Sequence, residues 1–342
     1  MSDKCFIIAE LSANHGGDIE IAAETIRAAK RAGADAIKMQ TYKPSTMTLK
    51  SEKEDFIVQG GTIWDGKGLY ELYEEASLPW EWHKELFEIS KKEGLVCFST
   101  PFDFTAVDFL EELNCPIYKI ASFEINDIPL IQYVASKKKP MIISTGIATY
   151  DEIELAIRTC RNEGNNDITL LKCTSSYPAP IEEANLKMIK KFAQDFHTKV
   201  GLSDHTIGSI VPILSIAMGA KVIEKHFILD HSIGGPDASF SMDEKEFTQM
   251  VMDVRSAESA LGEETYELTQ KQISGRRFGR SLYVSSNINN GDFITKDNIK
   301  SVRPSFGLEP KYYYDVLGKR VNKDLGVGDR LSFEHIIKED EI

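Results

Sequence analysis

The chain predicts an α/β protein, a (β/α)8 barrel of the TIM type followed by a small β-rich domain. From residue 6 to about 228, short apolar runs rich in β-branched residues alternate with longer stretches of helical periodicity. The runs number eight, which closes a parallel sheet into a barrel better than it fills an open one. Beyond residue 280 helical periodicity fades, and short runs are separated by Asn-Gly and Val-Gly-Asp turns.

The first strand is predicted at "FIIAE" (6 to 10). It is followed by "IEIAAETIRAAKRAG", whose apolar residues recur at helical spacing and whose Gly33 suits a helix C-cap. "AIKMQTY" (36 to 42) is the second strand. The connection from Lys43 to about Pro79 is far longer than a usual strand-to-helix loop and carries "GGTIWDGKGLYELYEEASLPW", a composition that reads as a lid or binding loop. "VCFSTP" (96 to 101), "IYKIAS" (117 to 122), "PMIIST" (140 to 145), "ITLLKCTS" (168 to 175), "KVGLSD" (199 to 204) and "KVIEKHF" (221 to 227) complete the barrel. A last helix lies in "MDEKEFTQMVMDVRSAESAL", and the polar "GEETYELTQKQISGRR" follows it. The predicted boundaries are 1–265 for a catalytic barrel, 266–280 for a linker and 281–342 for the small domain.

A length of 342 residues and 42% hydrophobic content are ordinary for a globular chain of two domains. The formal charge of -13 argues against nucleic acid and anionic membrane as partners, since both need a basic face. "MSDKCFIIAE" is too short in apolar residues for a signal-peptide core, and no window reaches the roughly 18 apolar residues of a membrane span, so a cytoplasmic location is expected. The 5 cysteines are odd in number, scattered and without CxxC spacing, which predicts reduced buried thiols.

Barrel enzymes build their sites at the C-terminal strand ends, and polar residues stand at each of them here. Glu10 ends the first strand, and Lys38 and Gln40 lie in the second. Ser99 and Thr100 end the third, with Lys119, Ser122 and Glu124 at the fourth and Ser144 and Thr145 at the fifth. Lys172 to Ser176 close the sixth, Ser203 to His205 the seventh and Glu224 to His226 the eighth. A single serine at such a position is ordinarily a turn or cap residue, whereas a lysine within an apolar run needs an anion beside it or a strongly lowered pKa. Alternation places some of these lysines outside the barrel, Lys225 among them because it flanks His226. His205 and His226 end neighbouring strands and suit a divalent metal, although satisfied polar histidines are the competing account. Ser203-Asp204-His205 is not a hydrolytic triad, because consecutive strand residues face alternate sides. Hydroxyls with inward lysines make an anion site, and Glu10, Glu124 and Asp237 stand beside it for proton handling. These residues alone describe a metal-assisted barrel enzyme acting on a small phosphorylated anion.

The motifs "IIAELSANHGGD", "AIKMQTY", "STPFD", "YKIASFE", "ISTGIAT", "CTSSYPAP", "GLSDHT", "EKHF" and "GPDASFSM" occur in that order. The chain thereby resembles the sialic acid synthase family of phosphoenolpyruvate-dependent nonulosonate synthases, and its tail resembles that family's antifreeze-like (SAF) domain. "AELSANH", "GGTIWDGKGLYELYEEA" and "RSLYVS" look most like the pseudaminic acid branch; the sialic and legionaminic branches are the alternatives within the family.

The resemblance implies a transferase that condenses phosphoenolpyruvate with an open-chain amino sugar, in this branch 2,4-diacetamido-2,4,6-trideoxy-altrose. It implies a divalent metal, manganese or magnesium, on His205 and His226. Phosphoenolpyruvate would be held by Lys38, Thr100, Lys119, Ser122, Ser144 and Ser203. Ser175 is a weaker match, since sialic acid synthases typically carry asparagine there. Glu10 would handle protons, Glu124 and Asp237 would line the sugar and water side, and Tyr177 and Arg303 would contact the sugar. Arg303 is implied to reach the partner's barrel in a domain-swapped homodimer. Two other readings stay open: a metal-free Schiff-base aldolase using Lys119, and a noncatalytic glycan-binding protein led by the C-terminal domain.

Overall fold

The computed structural model describes residues 4–59, 61 and 63–337. It divides into two compact units, Met1–Gly262 and Glu263–Ile342. In the first, eight parallel strands close into a barrel in sequence order: β1 (Phe6–Glu10), β2 (Ala36–Thr41), β3 (Val96–Pro101), β4 (Tyr118–Ile120), β5 (Met141–Ser144), β6 (Ile168–Cys173), β7 (Lys199–Asp204) and β8 (Val222–His226). The expected strands are all present. β4 and β6 are shorter than predicted because Ser122–Glu124 turns into a one-turn 3-10 helix and the chain leaves the ladder after Cys173.

Helices cover the barrel where the sequence signals them. Ile19–Arg31 is capped by the Asp18 side chain and ends before Gly33, whose φ of +89° only glycine adopts without strain. Its inner face packs Ala22, Ala23, Ile26 and Ala29 into one buried cluster with Ile7, Ala9, Ile37 and Phe247. The long connection after β2 carries short helices at Pro44–Met47 and Leu69–Ala76.

Strand alternation divides the side chains into a lumen set and an outer set, and the register aligns each set. Glu10 lies opposite Lys38 and His226, Gln40 opposite Thr100, and Ser203 opposite Glu224. One position later the outer set pairs Asp204 with Lys225. Lys225 is outside the lumen as expected, but it is buried rather than solvated, and its ammonium donates to Asp204 at 2.5 Å and to the Thr206 carbonyl. Ser99 also faces outward, 2.6 Å from Thr41 Oγ1. Gly201 lets β7 approach β8, since a Cβ there would sit 2.3 Å from the Val222 carbonyl oxygen. All five cysteines are buried and free.

Among the described residues, the second unit contains one antiparallel pair, β9 (Ser281–Val284) and β10 (Ile299–Val302), with isolated bridges around a core of Leu282, Ile288, Ile294, Ile299, Val316 and Leu331. Short helices at Gln270–Gly275 and Tyr313–Val316 add more helix than the turn-rich sequence suggests. Residues 338–342 of the predicted small domain lie outside the described residues. Among the described residues, no helix is long and apolar enough to cross a membrane.

The Asp204–Lys225 pair makes a direct test of the outer layer. Asp204→Ala strands a buried ammonium and should cost about 3–5 kcal/mol in urea unfolding, while replacing both residues by apolar ones of similar volume should restore most of that loss.

Candidate active site

Strand parity delivers the sequence-predicted charges to one place. Lys38 forms an ion pair with Glu10 and reaches Thr100 Oγ1 at 3.2 Å. Glu224 stands between the lysines, its Oε1 3.7 Å from Lys38 Nζ and 3.5 Å from Lys119 Nζ, and it accepts the Ser203 hydroxyl at 3.3 Å. All of these side chains are buried. Of the other candidate lysines, Lys172 turns aside and donates to Thr174 Oγ1 at 3.1 Å.

Burial and charge set the protonation states. Burial, helped by the Glu224 charge, raises the Glu10 carboxyl above its usual range. Burial lowers Lys119. For Lys38 and Glu224 burial is outweighed by their partners: Glu10 and Glu224 raise the Lys38 ammonium, and Lys119, Lys38 and His205 lower the Glu224 carboxyl. Raising Glu10 towards its neutral form while Lys38 is raised and Glu224 lowered tips the cluster towards positive charge, which suits an anion.

Hydroxyls ring this charge. The Ser122 hydroxyl oxygen accepts the Gly146 N–H at 3.0 Å, and a Cβ on Gly146 would lie 2.0 Å from Ser175 Oγ, so glycine permits the close approach of the β5 loop. Ser144 Oγ, Glu224 Oε2, Glu124 Oε2 and His226 Nδ1 are buried without hydrogen-bond partners. Unpaired buried polar atoms are costly, and four converging on one barrel mouth are the mark of a ligand site.

His205 and His226 meet at 5.3 Å between ring centroids. The Thr174 carbonyl only accepts, so His205 donates Nδ1–H to it at 3.0 Å and Nε2 is the nitrogen left for a ligand. Burial opposes the ring's charge, but Cys173 and the Thr174 carbonyl outweigh it and raise the imidazole, so a metal would take Nε2 with loss of its proton. Burial, then the His205 charge, holds His226 well below the ordinary imidazole range, so its ring is neutral. Two neighbouring imidazoles, His226 neutral and His205 once deprotonated, fit a divalent cation. His231, Asp243 and Glu246 also lie within 4.8 Å of one another, but at the surface, where Asp243 and Glu246 form a helix capping box.

An aromatic wall covers the histidines. The Tyr177 ring is 4.3 Å from His205 and 5.3 Å from Phe240, and Phe240 is 5.0 Å from His226. From the long β2 connection, Trp64 packs 5.7 Å from Tyr177 and donates its indole N–H to the Pro236 carbonyl at 3.2 Å. Asp237 lies 3.7 Å from His226 Nδ1.

The profile of the NeuB family matches residues 25–266. The chain belongs to the NeuB family. Residues 279–337 match the SAF domain. The chain is 52% identical to the pseudaminic acid synthase of Campylobacter jejuni over 96% of this chain and 95% of that one. It is 51% identical to that of Helicobacter pylori, over 96% and 97% of the two chains. Among solved structures it resembles the N-acetylneuraminic acid synthetase of Leptospira borgpetersenii, with a TM-score of 0.71 and 32% identity, covering 80% of this chain and 92% of that one.

Within this NeuB-family barrel, Glu10, Lys38, Thr100, Lys119, Ser122, Ser144, Ser203, His205 and His226 gather in the lumen and at its mouth, with Glu124, Ser175, Tyr177 and Asp237 at the rim. Arg303 lies in the other unit, exposed just after β10. Sequence reasoning missed the part played by Glu224 and Cys173. Period two, counted back from His226 and from Ser175, puts both inward. Cys173 Sγ is 3.9 Å from His205 Nδ1; burial opposes its thiolate, but His205, Ser122 and Lys119 outweigh that and bring it to about 7. Trp64 was legible only as part of a lid.

Glu124 carries a pH signature, because burial pushes its carboxyl up to about 7 from 4.5. A raised carboxyl favours folding most below pH 4.5, and that contribution is lost as pH climbs through 7. Glu124→Gln should therefore match the parent near pH 4.5 and exceed it at pH 8, by on the order of 2 kcal/mol in urea midpoints converted to free energy.

Proposed function

We propose that this protein condenses phosphoenolpyruvate with 2,4-diacetamido-2,4,6-trideoxy-altrose and water to give pseudaminic acid and phosphate. The observation that carries the reading is the buried Lys38–Glu10 and Lys119–Glu224 network, ringed by hydroxyls and opening beside His205 and His226. Identity of 52% to one pseudaminic acid synthase, against 32% to a sialic acid synthetase, supports this branch.

The lysines and the Thr100, Ser122, Ser144 and Ser203 hydroxyls bind the carboxylate and phosphate of phosphoenolpyruvate, and Ser175 adds a rim hydroxyl. His205 and His226 would hold a divalent manganese or magnesium ion, which supplies Lewis-acid polarisation of the aldehyde oxygen. C3 of phosphoenolpyruvate forms the new carbon–carbon bond to the aldehyde carbon, and Glu10 carries a proton for the oxygen that becomes a hydroxyl. Water adds at C2, losing its proton to Glu124, whose carboxyl near 7 is suited to a general base. The C2–oxygen bond to phosphate then breaks, its electron pair leaving with phosphate, which takes up the proton that the C2 hydroxyl loses as it becomes the carbonyl of the 2-keto acid. Tyr177 and Asp237 orient the sugar beneath the aromatic wall. Arg303 would reach the sugar bound in the partner's barrel of a domain-swapped homodimer, a reading supported by its exposure.

Phosphate release from phosphoenolpyruvate should occur with the 2,4-diacetamido altrose sugar and not with the corresponding mannose sugar or N-acetylmannosamine. Release with another sugar moves the branch and keeps the chemistry. No release with any sugar, together with borohydride trapping of pyruvate on Lys119, would instead establish a Schiff-base aldolase.

The metal reading has its own test. EDTA should abolish turnover and manganese restore it, and His205→Ala should weaken manganese binding at least about tenfold in an electron paramagnetic resonance titration, the scale set by losing a metal-site residue. Undiminished manganese binding by that variant would remove His205 from the metal site.

A further inference from the structure

The connection after β1 contains a feature that the site chemistry does not use. Ser12 is buried and has φ +46°, in the left-handed region that favours glycine. The other positive-φ residues of that connection, at +56° and +72°, are Gly16 and Gly17. A serine kept at such a position carries a conformational cost, and strain of this kind collects at functional sites.

Its hydroxyl both accepts and donates. Gln40 donates one amide hydrogen to Ser12 Oγ at 2.9 Å and the other to Glu10 Oε1 at 3.0 Å. An amide nitrogen can only donate, so the Ser12 hydroxyl accepts from Gln40 and gives its own proton to Asp237 Oδ2. The Ala13 N–H points to the same oxygen at 3.5 Å. Donation thus starts at Gln40 and runs to Glu10 on one side and through Ser12 to Asp237 on the other, joining the β1 and β2 rim to the loop after β8.

That loop does not need Ser12 to hold its backbone. Ser241 Oγ donates to the Asp237 carbonyl at 2.7 Å, and Asn14 Nδ2 donates to Ser241 Oγ at 2.8 Å and to the Phe227 carbonyl at 3.0 Å. What the Ser12 hydroxyl adds is the direction of one carboxylate. We propose that Ser12 is a positioning residue for the sugar: by engaging Oδ2 it turns Asp237 so that Oδ1 faces a sugar hydroxyl at the barrel mouth. The inference rests on the assignment of Asp237 to the sugar side in the proposed function.

The test compares Ser12→Gly, which relieves the backbone and removes the hydroxyl, with Ser12→Ala, which removes the hydroxyl alone. Both should lower kcat/KM for the sugar about tenfold through KM, the scale of a hydrogen bond to a charged group, with the KM for phosphoenolpyruvate unchanged. In an Asp237→Asn background, Ser12→Gly should have no further effect on the sugar KM. Unchanged sugar kinetics in both variants, or a loss confined to Ser12→Ala, would overturn the proposal, the latter by assigning the effect to the backbone. Equal weakening of both substrates with a lowered Tm would also overturn it. If the wild type prefers another sugar, the same comparison on that sugar tests Ser12 while the branch assignment changes. If no sugar is turned over, the proposed function fails by itself, and a crystal structure of Ser12→Gly decides the positioning role: an unmoved Asp237 carboxylate refutes it and a turned one supports it.

Discussion

The buried array of Lys38, Lys119, Glu10 and Glu224 is the constraint on which the catalytic unit depends. Removing ammoniums and carboxylates from water is expensive, and mutual attraction offsets that only where the geometry is good and the remaining polar atoms are satisfied. Here they are not all satisfied, because Glu224 Oε2 and Ser144 Oγ have no partners. A network tuned for stability alone would close on itself. One that leaves polar atoms unpaired, with Glu10 raised towards its neutral form, fits the anion that the proposed function assigns to it.

The barrel tolerates this because strand parity separates chemistry from packing. Residues of one parity on β7 and β8 supply Ser203, Glu224 and His226 to the lumen, and those of the other supply Asp204 and Lys225 to the layer beneath the helices. The two charged layers are one residue apart along the strand and are kept distinct by register alone. A slip of one residue would exchange them, which makes the register itself a catalytic requirement. Gly201 contributes at the same strand pair, since any side chain there would press on the Val222 carbonyl and part β7 from β8.

Parity also explains what could be read from the sequence. The strands, the outward direction of Lys225 and the proximity of His205 to His226 follow from periodicity and from the order of strands around a barrel, whereas the choice of Lys38 and Lys119 as the inward lysines follows from the family resemblance. Glu224 obeys the same rule but was masked by the more conspicuous His226 two residues on. Ser12, the Gln40 relay and the Trp64 contact with Pro236 follow no period, because each depends on loop conformations that bring residues distant in sequence together. The protonation states are further out of reach, since they depend on burial and on several neighbours at once. In the smaller unit the turns were legible, but the short helices were not, their segments being too brief for a periodic signal.

This division has a consequence for how substrate choice is built. The groups assigned to the anion sit on strands or within a residue or two of their ends, where hydrogen-bonded register holds them to one geometry. The groups assigned to the sugar, Tyr177 and Asp237 with Trp64 and Ser12 behind them, stand on connections. Connections can be rebuilt without disturbing the sheet, so one barrel can keep a fixed manner of binding phosphoenolpyruvate while its sugar side is exchanged. The strained Ser12 fits this arrangement: it lies on a loop, two residues beyond β1, yet its partner Gln40 is on β2 and its target is beyond β8. Through it the adaptable side of the site takes its orientation from the invariant geometry of the strands, which is how a loop carboxylate acquires the precision of a barrel residue.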